Sequence, residues 1–421
     1  MADVRATLIP AGENSYRLEA YLGRGGYEAA RKTLLEKKPQ EVVEEVKKAN
    51  LRGRGGAGFP AGSKWAFVPQ ADDRPKYLCV NADEGEPGTF KDRAILTRDP
   101  HLLLEGIILA CYAVGIHTAF VYVRGEYEAI AMRLEAAIAE AGQKGFLGGN
   151  IFGSGFDLEV LVHRGAGSYI CGEETALLES LEGKRGWPRL KPPFPASVGL
   201  FRGPTVINNV ETIANIPLIF RHGAEWFIAQ GLPRDGGKRL FGVSGAVRKP
   251  GLYELPMGTP LRKIIYDWAG GPADGQSIKA VVPGGLSAPF LTPEEIDVPM
   301  DYESLAHAKS MLGSAGIIVI GDRTPIIDIL RIVARFYAHE SCGQCTPCRI
   351  GTTWISKIAD RIGAGGGAPG DLDLIHHLAE EMKGKTLCPM GDAAAFPVLS
   401  IVEKFGRELE ETISRFAERA W

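Results

Sequence analysis

Four cysteines near the C-terminus carry the clearest chemistry in the sequence. Cys342, Cys345 and Cys348 stand in ESCGQCTPCR at C-x2-C-x2-C spacing. Cys388 lies well downstream in TLCPMGD, followed by Pro389. Three thiolates so spaced can each cap one iron of a cubane, and a distant Cys-Pro completes the ligand set. The competing reading is a four-cysteine zinc site, which usually pairs two well-separated C-x2-C knuckles. The spacing favours the cluster. A lone iron–sulfur cluster passes single electrons and does little organic chemistry, so it needs a donor. Cys79, Cys111 and Cys171 lie in apolar runs and read as small buried hydrophobes.

Four further stretches have the residue types for nucleotide chemistry. In LRGRGGAGFPAGSKW, Gly53, Gly55, Gly56 and Gly58 free the backbone amides to approach a phosphate or a flat ring. Arg54 and Lys64 add positive charge there, and Phe59 and Phe67 offer stacking surfaces. The stretch is neither a Walker loop nor a G-x-G-x-x-G turn, so a mobile turn is an equal reading by spacing alone. In NADEGEPGTFKDR, Asp83, Glu84 and Glu86 can accept hydrogen bonds from ribose or a carboxamide, although loop acids are usually solvated. In CGEETALLES, Glu173 and Glu174 open a helix. Capping is the plain explanation, and electrostatic tuning of a redox ring is the sharper one. VINNVET supplies Asn208, Asn209 and Thr212, neutral partners for phosphate or ribityl hydroxyls.

The rest of the chain must position these groups. Its 421 residues allow two to four domains. A formal charge of −3 gives no sign of nucleic-acid binding. Seven cysteines, four of them crowded together, point to a reducing compartment and a metal site rather than to disulfides. The most apolar stretch, LLLEGIILACYAVGIHTAFVYV, is interrupted by Glu105, Gly115 and His117 and reads as a buried helix followed by a buried strand. No transmembrane helix is expected. The N-terminus has no long apolar run of the secretory kind.

Residues 13–50 read as a helical lead-in on the surface. KYLCVN, TAFVYV and FDLEVLVH then alternate with helical patterns, which predicts an α/β unit with a mainly parallel sheet. The loops near Asn81–Asp92 and Arg164–Thr175 should lie at one sheet edge, where such folds bind ligands. From about Lys238 the pattern becomes ββα with more strands. From about Thr324 four helices are expected, at 325–341, 347–362, 371–384 and 392–419. Antiparallel packing would bring the first and third loops, and so all four cysteines, to one end of a bundle.

Together these motifs, with RLKPPFPA and the later CPMGDAA, resemble the NADH-binding, flavin-containing 51-kDa-type subunit of respiratory complex I over residues 18–418. The resemblance implies a multi-domain α/β protein in three parts. Residues 1–237 would be the lead-in and a Rossmann-like FMN/NADH domain. Residues 238–323 would be a ubiquitin-like β-grasp domain, and 324–421 a four-helix bundle holding a [4Fe–4S] cluster. It implies FMN contacts at Gly53, Arg54, Gly55, Lys64, Asn81, Asp83, Tyr169, Gly172, Glu173, Glu174, Asn208, Asn209 and Thr212, with Glu174 tuning the flavin. It implies NADH contacts at Phe59, Lys64, Phe67, Glu86, Lys191 and Phe194. Cys342, Cys345, Cys348 and Cys388 would hold the cluster.

The implied activity is oxidation of NADH by hydride transfer to FMN, with electrons passed singly to the cluster and onward toward quinone. The implied partners are a thioredoxin-like [2Fe–2S] subunit and a large ferredoxin-like iron–sulfur subunit. Through them the chain would attach to the cytoplasmic or matrix side of an energy-transducing membrane. An equivalent diaphorase subunit of an NAD-reducing hydrogenase or NAD-linked formate dehydrogenase is the alternative, although such chains often carry fused iron–sulfur regions.

Overall fold

The computed structural model describes residues 7–417. Four strands form the first sheet: β1 (Tyr77–Ala82), β2 (Thr118–Val123), β3 (Glu159–Arg164) and β4 (Thr205–Asn209). Their order is β3-β2-β1-β4, and every pairing is parallel. The central strands are nearly continuous apolar runs because helices cover both faces. The chain moves from β1 outward to β2 and β3, then returns to place β4 on the other side of β1. Such a reversal opens a crevice at the carboxyl ends of the two strands. Here those ends are Asn81 and Asn209.

The helix Pro100–Val114 is buried on almost every face and ends at Gly115, whose φ of 73° accommodates the left-handed cap. It lies against the helix Val210–His222 so closely that a β-carbon on Gly106 would stand 2.2 Å from the carbonyl oxygen of Ile213. The lead-in is not a surface appendage. Its helices Leu18–Leu22, Glu28–Glu36 and Pro39–Lys48 bury Tyr21, Ala30, Leu34, Val42 and Val46 in the same core. Charged residues occupy only their outer stripe, as an amphipathic period of 3.6 requires.

The second sheet comprises β5 (Lys238–Gly245), β6 (Gly251–Pro256), β7 (Ile278–Val282) and β8 (Gly316–Gly321) in the order β6-β5-β8-β7. Its outer pairs are antiparallel and its central pair, β5–β8, is parallel. The helices Ile326–Glu340, Thr346–Gly363, Asp371–Met382 and Met390–Ala417 then pack as a bundle. One apolar core runs through all three parts. It joins Cys79 of the first sheet and Leu177 beside it, Val282 of the second sheet and Phe290 in the segment after β7, and Leu330, Ile355 and Val398 of the bundle.

Candidate functional site

The crevice between β1 and β4 collects the residues expected to hold a flavin. Asn81, at the end of β1, donates from Nδ2 to the carbonyl of Gly172 at 2.8 Å and accepts from the Asp83 amide at 3.0 Å. These bonds fasten the acidic loop to the turn before Glu173. The Asp83 Oδ2 atom is buried with no hydrogen-bond partner. Burial pushes its carboxyl up to about 7, against the pull of Arg124 and with added repulsion from Glu126 and Glu340. A buried carboxylate oxygen without a donor fits a ligand that brings one.

On the β4 side, the glycine-rich loop is clasped against the sheet. The Arg54 amide donates to Thr212 Oγ1 at 2.8 Å, and a β-carbon on Gly55 would lie 3.0 Å from that of Asn209. Asn209 is held in turn by Lys91 Nζ at 3.2 Å, by the Glu211 amide at 3.0 Å and by its own donation to Asp92 Oδ2 at 2.6 Å. Asn208 Oδ1 accepts from Trp65 Nε1 at 2.9 Å. The structure corrects the expected use of the Arg54 charge. Its guanidinium is fully buried, donating to Asp235 Oδ1 at 2.8 Å and to the Gly236 carbonyl at 2.6 Å. It braces the loop from beneath, because a buried carboxylate demands a partner more strongly than an open cleft does.

Two further cationic groups, Lys64 and Lys191, pair with the glutamates that follow Gly172. Lys64 Nζ lies 3.0 Å from Glu174 Oε2, and Lys191 Nζ lies 2.7 Å from Glu174 Oε1 and 3.2 Å from Glu173 Oε1. Burial works against ionisation of Glu174, but the two ammonium groups outweigh it and hold its carboxyl below the usual range. Glu173 also caps its helix, accepting from the amides of Thr175 at 2.8 Å and Ala176 at 3.0 Å. The capping reading is realised on Glu173, while Glu174 is ion-paired to both lysines.

Three of the expected aromatic rings are exposed: Phe59, Phe67 and Phe194 at 50%, 62% and 58%. The rings of Phe59 and Phe67 are 6.0 Å apart and tilted by 43°. Rings left this open offer a surface for a planar base. Glu86 lies deeper. It accepts from the Tyr169 hydroxyl at 2.6 Å and from the Ser287 amide at 2.7 Å, and burial raises its carboxyl pKa.

The cysteines lie where the bundle meets this crevice. Cys342 and Cys345 occupy the link between the first two bundle helices, Cys348 the first turn of the second, and Cys388 the approach to the fourth. All four line the same core. Burial raises the Cys348 thiol, reinforced by Cys345 and Cys342. It pushes Cys388 up to about 12, with Glu173, Cys342 and Cys348 adding to the effect. Thiols that feel one another's charge in this way fit a shared cationic iron core, which would lower them all together. Among the described residues, no group of three or more His, Cys, Asp or Glu side chains closes up as ligands of a single metal ion. A cubane spreads its four thiolates over four irons, a wider shell than that of one ion.

Residues outside the expected set tie the two centres together. Glu340, at the end of the first bundle helix, accepts from the Tyr169 amide at 3.0 Å. Trp187 Nε1 donates to the Cys342 carbonyl at 3.2 Å. Ser287 reaches in from the segment after β7. No motif marks Trp187 or Ser287, and Glu340, although it opens ESCGQCTPCR, bonds a residue far away in the chain.

Comparison with known proteins agrees with this geometry. Residues 46–218 match the family described as Nuo51 FMN-binding domain, 240–291 the SLBB domain, and 328–412 the NADH-ubiquinone oxidoreductase-F iron-sulfur binding region. The second F-type subunit of NADH-quinone oxidoreductase from Rhizobium meliloti (strain 1021) is 55% identical over 95% of this chain and 94% of its own length. The corresponding F-type chain of Streptomyces coelicolor is 49% identical over 96% and 89%. A solved chain of an air-oxidised NAD+-reducing [NiFe]-hydrogenase superposes with a TM-score of 0.83 at 38% identity, covering 94% of this chain and 67% of that one. The chain belongs to the family of F-type subunits of NADH-quinone oxidoreductase.

Proposed function

We propose that the crevice binds FMN and NADH face to face and that the bundle end holds a [4Fe–4S] cluster, so that the chain acts as the NADH-oxidising subunit of an NADH-quinone oxidoreductase. The observation that supports this is a hydrogen bond linking the crevice to the cysteine end of the bundle. Glu340, two residues before Cys342, holds the Tyr169 amide at the edge of the crevice. FMN, when bound, accepts a hydride from NADH and returns the electrons one at a time, and the cluster carries single electrons.

The chain's residues bind, orient and tune. Asn81, Asp83, Asn208, Asn209 and Thr212, with the backbone at Gly53, Arg54, Gly55 and Gly172, would hold the flavin. Tyr169, Glu173 and Lys64 would complete its surroundings, and Glu174 would set the local charge. Phe59, Phe67 and Phe194 would stack and enclose the nucleotide, with Glu86 and Lys191 fixing its polar groups. Cys342, Cys345, Cys348 and Cys388 would be the cluster ligands. The division at 237 and 323 into Rossmann-like, β-grasp and bundle parts is a reading supported by the two sheets and the helical end.

No described helix is long and apolar enough to cross a membrane. Attachment to the cytoplasmic or matrix side, through a thioredoxin-like [2Fe–2S] partner and a ferredoxin-like one, is the arrangement that family membership supports. A diaphorase role beside a hydrogenase or formate dehydrogenase is the second reading, favoured by the hydrogenase superposition. The test is Cys388→Ser in the reconstituted chain. FMN reduction by NADH should persist while the cluster's electron paramagnetic resonance signal disappears. An unchanged cluster signal would remove Cys388 from the ligand set.

A further inference from the structure

The glycine-rich loop is held from below by the segment that follows the second sheet's β7. Tyr302 opens the helix Tyr302–His307, 249 residues from Gly53 in sequence. Its hydroxyl donates to the Gly53 carbonyl at 2.7 Å and accepts from Arg239 Nη1 at 2.9 Å. Arg239, fully buried on β5, also donates to the Gly313 carbonyl at 2.6 Å and to the Arg54 carbonyl at 3.3 Å. The Tyr302 ring fills the space under Gly58, where a β-carbon would come within 2.4 Å of it. The Arg52 guanidinium lies 4.1 Å from the ring centre and donates from Nε to the Gly58 carbonyl at 2.7 Å.

These contacts take up the loop's carbonyls at Gly53, Arg54 and Gly58. The Gly53 amide is also used, by the Phe59 carbonyl at 2.9 Å. The amides of Gly55, Gly56, Ala57 and Gly58 donate to no group among the described residues. Fastening the carbonyls while leaving successive N–H groups without partners leaves a held set of donors for a ligand.

We propose that Tyr302 is a positioning residue for the flavin, acting through the Gly53 carbonyl to present the Gly55–Gly58 amides. This rests on the reading that the crevice is the FMN site. Arg239 polarises the Tyr302 hydroxyl and strengthens its donation. The role is separate from packing, since the ring alone supports Gly58 and Arg52.

The test is FMN titration of the flavin-stripped full chain, read by quenching of FMN fluorescence, for the wild type, Tyr302→Phe and Lys64→Gln. Tyr302→Phe keeps the ring and removes both hydroxyl hydrogen bonds, the one donated to Gly53 and the one accepted from Arg239. It should raise the FMN dissociation constant about three- to tenfold. The thermal midpoint of the flavin-free chain should fall by only about 2–4 °C, and the visible circular dichroism of the bound flavin should be altered. Lys64→Gln should weaken FMN as well. If Lys64→Gln weakens FMN while Tyr302→Phe changes neither affinity nor dichroism, the positioning role is wrong and the site reading stands. A loss of affinity that comes with a fall in midpoint well beyond that would make Tyr302 merely structural. If neither substitution affects FMN, the site reading fails and takes the proposal with it.

Discussion

The Tyr169 hydroxyl donates to Glu86 Oε2 at 2.6 Å and thereby joins the turn before Glu173 to the acidic loop after β1. Glu86 is thus the meeting point of three segments, since Ser287 holds its other oxygen. Glu86→Gln should raise the KM for NADH about tenfold with a smaller change in kcat, because an amide accepts only one of the two donated bonds and loses the charge. Steady-state kinetics with a one-electron acceptor at saturating FMN would show the split. An unchanged KM would remove Glu86 from the nucleotide site.

Glu174 is held ionised by Lys64 and Lys191. Glu174→Gln removes one negative charge beside the proposed ring and leaves both ammonium groups. The bound flavin should become easier to reduce, its two-electron midpoint potential rising by about 30 mV, equivalent to about 1.4 kcal/mol. Spectroelectrochemical titration measures this directly. No shift, together with unchanged reactivity toward NADH, would exclude Glu174 from a tuning role.

Asp83 sets a pH dependence. Its carboxyl is raised by burial to about 7 in the folded chain, against about 3.9 when unfolded. In the window between those values the folded state keeps a proton that the unfolded state has released. Its contribution to stability is full below the lower value and is lost as pH rises through the upper one. The flavin-free Asp83→Asn variant should therefore gain stability relative to wild type as pH rises from 4 to 7.5, as read by urea denaturation. A difference that does not vary with pH would contradict the assignment.

Arg54 makes a different prediction from the one its sequence context invites. With Arg54 and Asp235 at 0% and 1% side-chain exposure, Arg54→Met leaves a buried carboxylate unpaired. It should cost about 3–5 kcal/mol of stability. The double variant Arg54→Met/Asp235→Leu should recover much of that loss. Urea midpoints of the single and double variants would test the pair.

Much of this architecture is legible in the residues. The helix Pro100–Val114, the strand TAFVYV and the bundle loops follow from apolar period, Gly115 and the proline positions. The strand β4 is harder to read because its five residues run into the Asn-Asn cap of the next helix. The lead-in's burial is hidden because charged residues dilute its apolar stripe, and only the facing helix Pro100–Val114 reveals it. At the site, glycines, acids and asparagines announce themselves by type. Arg239, Ser287, Tyr302 and Glu340 do not, because each acts across hundreds or scores of residues through a single hydrogen bond. Arg54 shows the converse: a charge among glycines invites a phosphate contact, while its guanidinium serves Asp235.

The proposed function builds hydride acceptance and single-electron transfer into one chain. The measurement that tests it most directly is an anaerobic visible spectrum of the full chain, with cluster intact and FMN bound, before and after NADH is added. NADH should bleach the flavin bands, and NADPH should do so much less. A spectrum with FMN bound that stays unchanged on adding NADH would contradict it.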